Sequence, residues 1–207
     1  DIGHDPFDLD SLTAVDSEEK MIEWIHESGK RFRRLVAGLC AVLDWAEKEE
    51  SIDPKRIGIV GFSTSAPVAT VLAGVDQRIA GSINFADVVL FHEVLAEATE
   101  PRVKRARELI QKWPGSWKKT LTIAKAVYKP ISPMRFAGKL NPSKTLYFDA
   151  EFDEYITRGT REKFWRASGK PERVTCYSGH KDCFLTLTPL GFFSADRKII
   201  EFFRKKL

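Results

Sequence analysis

The sequence predicts an α/β fold: a mostly parallel sheet flanked by helices and interrupted by one helical insertion. Three observations lead there. The run Ile57-Gly58-Ile59-Val60 is apolar and largely β-branched, as in a strand covered on both faces. It stops at Gly61, and small residues then open a helical pattern, so the chain turns sharply from strand to helix. The same strand-helix alternation returns after residue 144, beyond a long stretch that lacks it.

In chain order, residues 1–10 read as a loop with Gly3, Pro6 and many acids. Asp16 is the expected cap of the next helix, because Glu19 follows three residues later as in a capping box. Met21, Trp24, Ile25, Phe32, Leu35, Val36, Leu39, Val42, Leu43 and Ala46 then form an apolar stripe at helical spacing, running to about Glu50. Gly29 is expected to divide or bend that segment, and Asp53-Pro54 to make the turn into the first strand. After residues 57–60 a helix is expected over 64–73 and is stopped by Gly74. Pro67 lies in its first turn, where a missing backbone donor costs least. Residues 79–85 form the second strand.

The insertion covers residues 88–140. Val88-Val89-Leu90-Phe91 leads into helical stretches near 93–98 and 101–113, punctuated by Pro101, Pro114, Pro130 and Pro133. Alternation then resumes with a strand at 144–148, a helix at 158–168 stopped by Gly169, and a strand at 173–177. A final helix at 196–207 is expected to turn Ile199, Ile200, Phe203 and Leu207 inward. There is no internal repeat, and the 207 residues read as one domain.

An apolar fraction of 43% and a charged fraction of 30% suit an ordinary soluble globular chain. No apolar run approaches the ~20 residues a membrane helix needs. A net charge of +4 is too small to imply nucleic acid. The charge is unevenly spread: seven acids stand against Lys20 in residues 1–20, and eleven Lys or Arg against Glu108 in residues 101–139. The second block reads as a solvated helical surface or as a basic lid favouring anionic substrates. The opening residues, from Asp1, do not resemble a signal peptide. Cys40 reads as a small core residue and Cys183 as structural. With Cys176 they make three cysteines without metal-binding spacing, so a reduced, cytoplasmic setting without a metal site is expected.

A serine hydroxyl is a weak nucleophile until a base takes its proton and a third group orients that base. The chain offers such groups in order. Ser63 stands at the turn after the first strand. Phe148-Asp149-Ala150-Glu151-Phe152-Asp153-Glu154 follows the third, and Ser178-Gly179-His180-Lys181-Asp182 follows the fourth. Loops at the carboxyl ends of parallel strands are where an open α/β sheet builds its site. Ser63, Asp153 and His180 are therefore expected to meet on one edge, with Asp149 or Glu151 as alternative carboxylates. His26 sits in a helix, His4 near the terminus and His92 at the start of the insertion, so they compete poorly. Phe62, Trp113, Trp117 and Met134 are candidates to line a substrate pocket; helix packing is the competing reading.

Gly61-Phe62-Ser63-Thr64-Ser65 resembles the Gly-x-Ser-x-Gly nucleophile elbow of α/β-hydrolases, with Ser65 in the second glycine's place. The lead-in from Asp53 to Ser63 looks like that of the dienelactone-hydrolase and acyl-peptidase-like branches. Residues 145–154 are similar to the family's strand followed by His-Gly-x-x-Asp, with Ala150 where the glycine stands. Tyr177-Ser178-Gly179-His180 matches the stretch ending in Gly-His. Asp1-Ile2-Gly3-His4-Asp5 resembles the Asp-x-x-Gly-His-Gly loop after the family's fourth strand, one residue shorter. The resemblance covers nearly the whole chain outside residues 88–140.

That resemblance implies an α/β-hydrolase-type serine hydrolase cleaving a small-molecule carboxylic ester or related acyl bond through an acyl-enzyme. Ser63 would be the nucleophile, His180 the general base and later acid, and Asp153 the orienting carboxylate. The Thr64 backbone N–H would be one oxyanion donor, the insertion a cap, and no metal or organic cofactor would be needed. A serine at the elbow disfavours the haloalkane-dehalogenase variant, which uses aspartate there. The resemblance also implies that the N-terminal strands of the sheet, with the loop carrying the second oxyanion donor, belong to a second polypeptide or to a missing N-terminal segment. Two further readings stay open: a prolyl-oligopeptidase-like serine peptidase, and a non-catalytic α/β-hydrolase-like module for binding or assembly.

Overall fold

The computed structural model describes residues 8–86, 91–185 and 195–207, so the stretches 1–5 and 88–90 singled out above lie outside the described residues. Helix α1 (Leu9–Thr13) is capped by Asp8, whose carboxylate accepts the N–H groups of Asp10 and Ser11, each at 3.1 Å. Helix α2 (Glu18–Ala46) follows as one 29-residue element. Its cap is Ser17, not Asp16: the Ser17 hydroxyl accepts the Lys20 N–H, while the Asp16 carboxylate pairs with the Lys20 ammonium at 2.9 Å. Gly29 does not divide the helix. It is buried where a Cβ would stand 2.4 Å from Val127, so its lack of a side chain lets another helix approach.

Strand β1 (Ile57–Phe62) passes through one 3-10 turn (Ser63–Ser65) into α3 (Ala66–Val75). Pro67 sits in the first turn, as expected. Gly74 lies inside α3 rather than ending it; a Cβ there would meet Phe136 at 2.9 Å, so this glycine also serves close packing. Strand β2 (Ile79–Phe85) comes next. The described insertion contains α4 (Phe91–Glu97), α5 (Pro101–Lys112), α6 (Ser116–Tyr128) and α7 (Pro133–Ala137). The chain then forms β3 (Thr145–Ala150), α8 (Arg158–Ala167), β4 (Glu172–Cys176), α9 (Asp182–Leu185) and α10 (Ala195–Lys206).

The strands lie in the order β1-β2-β3-β4, and every neighbouring pair is parallel. Parallel neighbours require crossovers, and these bring the carboxyl ends of all four strands to one edge. β2 and β3 are buried along their whole length. β1 is only partly covered, and among the described residues no strand pairs with its other side.

Successive strand side chains face opposite ways, so the sheet sorts its residues between two cores. Tyr147 joins the larger one, where Met21, Trp24, Ile25 and Phe32 of α2 meet Val103, Ile110 and Tyr128 of the insertion. Each such apolar side chain contributes about 1.5–3 kcal/mol on burial, which makes the insertion part of the main core. Leu146 and Phe148 join the other, with Ile83, Phe85, Cys176, Cys183 and Phe202. Ile199 and Phe203 of the last helix pack here as expected, but Phe202, 5% exposed, takes the inward place expected of Ile200, which is 49% exposed. No disulfide joins the three cysteines; Cys176 and Cys183 are buried, and Cys40 is half-buried beside Leu43 and Leu72.

The acidic front and the basic insertion meet. Arg102 contacts Asp10 at 2.7 Å and Glu100 at 2.8 Å, and Lys119 pairs with Glu18. Part of the insertion's positive charge is thus neutralised within the chain. Among the described residues no helix is long and apolar enough to cross a membrane.

Candidate active site

The loops that follow β1, β3 and β4 converge on one edge of the sheet. After β1 the turn is sterically tight. A Cβ on Gly61 would lie 2.6 Å from the Ala66 Cα and 2.7 Å from the Ala69 Cβ, so a glycine is needed for α3 to fold back over its strand. Ser63 has φ +49°, a left-handed conformation costing a non-glycine residue about 1–2 kcal/mol. Such strain persists only where the surroundings over-determine it. Ser65 helps do so: its hydroxyl accepts the Phe62 N–H and donates to the Phe62 carbonyl, both at 2.8 Å. A glycine could form neither bond. Thr64 is the middle residue of the 3-10 turn, a position whose N–H finds no acceptor inside its own turn.

After β3 the chain wraps around a guanidinium. Arg161 donates to the carbonyls of Ile156 at 2.8 Å and Glu151 at 3.3 Å, and its Nε lies 2.7 Å from an Asp149 oxygen. Arg173 stands 3.7 Å from the other Asp149 oxygen. Burial pushes the Asp149 carboxyl above its ordinary value, against the pull of both arginines. Glu151 faces Arg158 at 3.6 Å. Asp153 is placed differently. Its Oδ1 accepts the N–H groups of Tyr155 at 2.8 Å and Ile156 at 2.9 Å, and its Oδ2 lies 2.8 Å from His180 Nδ1. Its side chain is 0% exposed, so these three donors compensate the loss of water. Of the three carboxylates named from the sequence, Asp153 is the one hydrogen-bonded to His180.

His180 is buried after β4, and its Nε2 lies 2.7 Å from Ser63 Oγ. A carboxylate can only accept, so the proton shared with Asp153 belongs on Nδ1. Nε2 is then left with a lone pair facing the serine hydroxyl. The resulting chain from carboxylate through imidazole to hydroxyl can draw a proton off Ser63 Oγ. Two further groups touch His180 that the sequence reading did not single out. Glu154 Oε2 accepts the His180 backbone N–H at 2.9 Å, and the Tyr155 ring stands 4.6 Å from the imidazole, tilted by 55°. Glu154 and Tyr155 adjoin Asp153, but no local pattern reveals a contact to a residue so far along the chain.

Of the candidate pocket residues, Phe62 immediately precedes Ser63 at the end of β1. Phe62 stacks on Phe85 at 4.7 Å and Phe85 on Phe148 at 4.0 Å, a column of rings at paired positions of β1, β2 and β3. Trp113, Trp117 and Met134 are partly buried against the large helical core. His26 is exposed on α2. His92 is half-buried at the start of α4, where burial holds its imidazole below the ordinary value. His4 lies outside the described residues.

No protein-family model matches the chain. No curated protein matches it either. Solved structures do. An acetyl xylan esterase from Paenibacillus sp. R4 superimposes with a TM-score of 0.65 at 16% identity, over 86% of this chain and 54% of that one. The Pyrococcus furiosus esterase Pf2001 gives 0.58 at 17% identity, over 84% and 62%. The α/β hydrolase GrgF from Penicillium sp. sh18 gives 0.59 at 15% identity, over 84% and 72%. The chain thus spans between about half and three quarters of the length of these structures. With its parallel β1-β2-β3-β4 order and sharp turn after β1, the chain has the α/β-hydrolase fold.

Proposed function

We propose that this chain carries the catalytic triad of a serine hydrolase that cleaves a carboxylic ester, or a related acyl bond, in a small molecule. The observation that carries the reading is the unbroken series of hydrogen bonds Asp153–His180–Ser63, with the serine held at φ +49° on the strand-to-helix turn. In this reading His180 Nε2 takes the hydroxyl proton as Ser63 Oγ attacks the acyl carbonyl carbon. The carbonyl π electrons move onto its oxygen, which the Thr64 N–H stabilises. Collapse of that intermediate breaks the bond to the alcohol, which leaves with the proton from His180. Water then repeats the sequence on the acyl-enzyme: His180 takes its proton, and the acid and free Ser63 are released. Asp153 keeps the imidazole in the required tautomer throughout. The reaction calls on no metal or organic cofactor.

Esterases among the similar structures favour an ester over other acyl bonds. The helices of residues 91–137 would act as the cap that shapes substrate choice. Removing one oxyanion donor from such a site costs about 10²–10³ in turnover, so a second donor besides Thr64 is part of the reading. We place it, together with strands pairing along β1, in a further segment or a second polypeptide, and the test therefore uses the intact native protein. A fluorophosphonate probe should label wild-type protein and fail to label Ser63→Ala. An unlabelled wild type overturns the reading in favour of a binding module, and equal labelling of both overturns Ser63 as the nucleophile. With labelling established, p-nitrophenyl esters should turn over and peptide anilides should not; the reverse outcome makes it a peptidase.

A further inference from the structure

We propose that Glu154 is a positioning residue which ties the helical insertion to the imidazole of His180, and this inference rests on the serine-hydrolase reading of the same site. Glu154 bonds in two directions. Its carboxylate accepts the His180 backbone N–H at 2.9 Å, and Oε2 lies where it would meet a Cβ on Gly179 at 3.2 Å, against the loop that presents the imidazole. Its carbonyl accepts the N–H groups of Thr99 at 2.8 Å and Glu100 at 3.1 Å. Thr99 and Glu100 form the link between α4 and α5, and the Glu100 carboxylate caps α5 by accepting the N–H groups of Arg102 and Val103.

A second path runs beside the first. Arg102 is held by Glu100 at 2.8 Å and donates to the Tyr155 hydroxyl at 3.1 Å, and the Tyr155 ring packs on the imidazole. The first turn of α5 thus reaches His180 twice, through Glu154 and through Tyr155. Asp153 at Nδ1 and Ser63 at Nε2 set the plane of the imidazole, and the bond from the His180 backbone N–H to Glu154 fixes the main chain that carries the ring. Placement matters to rate, because a shift of ~1 Å in a reacting group can cost 10²-fold. Movement of the insertion is then transmitted to the base by two short routes.

Three variants of the intact protein test this: Glu154→Ala, Glu154→Gln and Glu154→Asp. Fluorophosphonate labelling reads the nucleophile, and the NMR signal of the His180 Nδ1 proton reads the imidazole's place. Glu154→Ala should slow labelling by about 10- to 100-fold, with KM for an ester unchanged within about twofold, and should broaden or abolish the proton signal. Glu154→Gln keeps an acceptor at the same reach and should restore both. Glu154→Asp keeps the charge but falls one methylene short, so it should behave as alanine does, and it replaces alanine if that variant does not fold. Labelled wild type with Glu154→Ala and Glu154→Asp within about twofold of it overturns the inference and leaves the role of Ser63 standing. Unlabelled wild type overturns the hydrolase reading instead. The proton signal then decides alone: its loss in Glu154→Ala or Glu154→Asp supports positioning, and its persistence in both overturns it.

Discussion

Ser63 and His180 stand 2.7 Å apart, yet the segments that carry them are held by different means. On the serine side the constraints are local and steric. Gly61 leaves no space for a Cβ against Ala66 and Ala69, Ser63 is fixed at a positive φ, and Ser65 bonds back to Phe62. On the histidine side none of the described residues between 171 and 185 has a positive φ. His180 is held instead by hydrogen bonds from residues 26 and 27 positions away in sequence, Glu154 and Asp153. The serine's place can therefore form as soon as β1 and α3 pack. The histidine's place requires β3 and β4 to be side by side. One half is a property of a motif, the other of the assembled sheet.

The largest effects should appear where the two halves must act together. Ser63→Ala and His180→Ala should each lower ester turnover by about 10⁴–10⁶-fold, and the double variant should be no worse than either alone. Multiplying losses, measured as kcat on one ester, would mean the halves act separately. Next come two glycines, one on each side. Gly61→Ala drives a Cβ into backbone at 2.6 Å and should cost about 2–3 kcal/mol in urea unfolding. Gly179→Ala meets the Glu154 carboxylate at 3.2 Å and the Phe152 carbonyl at an ordinary 3.8 Å, and should stay within about 1 kcal/mol of wild type. Equal losses at both glycines would erase the contrast between a rigid and a yielding half.

What could be read from the sequence follows the same division. The strand run, Gly61 and Ser63 mark the elbow locally, and the apolar runs of both interior strands lie within two residues of their observed ends. Asp153 could not be separated from Asp149 and Glu151 by position alone. What separates them is tertiary: Arg161 and Arg173 engage Asp149, and Arg158 engages Glu151. Gly29 and Gly74 look like helix stops because glycine is a poor helix former, yet each is the contact point for Val127 or Phe136 from a distant helix. In the last helix the apolar residues Ile199, Ile200, Phe202 and Phe203 cover more than one face, and only the sheet's own surface selects Phe202 over Ile200 beside Ile199 and Phe203. Ser17 caps α2 in place of Asp16 because the helix begins one residue later than the acid suggests.

A smaller effect is expected at the residue where this elbow departs from the family pattern. Ser65→Ala removes two hydrogen bonds that reach back three residues and leaves the Phe62 N–H and carbonyl without that partner. The loss should be about 1–2 kcal/mol in stability, and labelling at Ser63 should slow while the His180 proton signal is unchanged. Ser65→Gly tests the same point from the other side, since it restores the family's glycine without restoring the bonds. If it matches wild type in stability, the serine's hydrogen bonds do not hold the turn.

A pH-dependent effect of similar size should lie at the far end of α3, where Asp76 caps the helix and accepts from Arg78 through its backbone N–H at 3.0 Å, Nε at 2.9 Å and Nη2 at 2.6 Å. Those bonds, the side-chain ones foremost, hold the Asp76 carboxyl below its ordinary value of 3.8. A carboxyl lowered by folding favours the folded state when ionised. Its contribution is complete above the unfolded-chain value and disappears as pH falls through the folded one. Asp76→Asn should therefore cost about 1–2 kcal/mol near neutral pH, and the gap to wild type should narrow as pH falls below 3.8, read from urea midpoints at each pH. A gap that widens toward acid would contradict the sign. Because α3 continues the serine's turn, the loss should also reach Ser63 as slower labelling, while the His180 proton signal should keep its position. A shift of that signal would show that the two halves of the site are mechanically joined through the helix, beyond the one hydrogen bond between them.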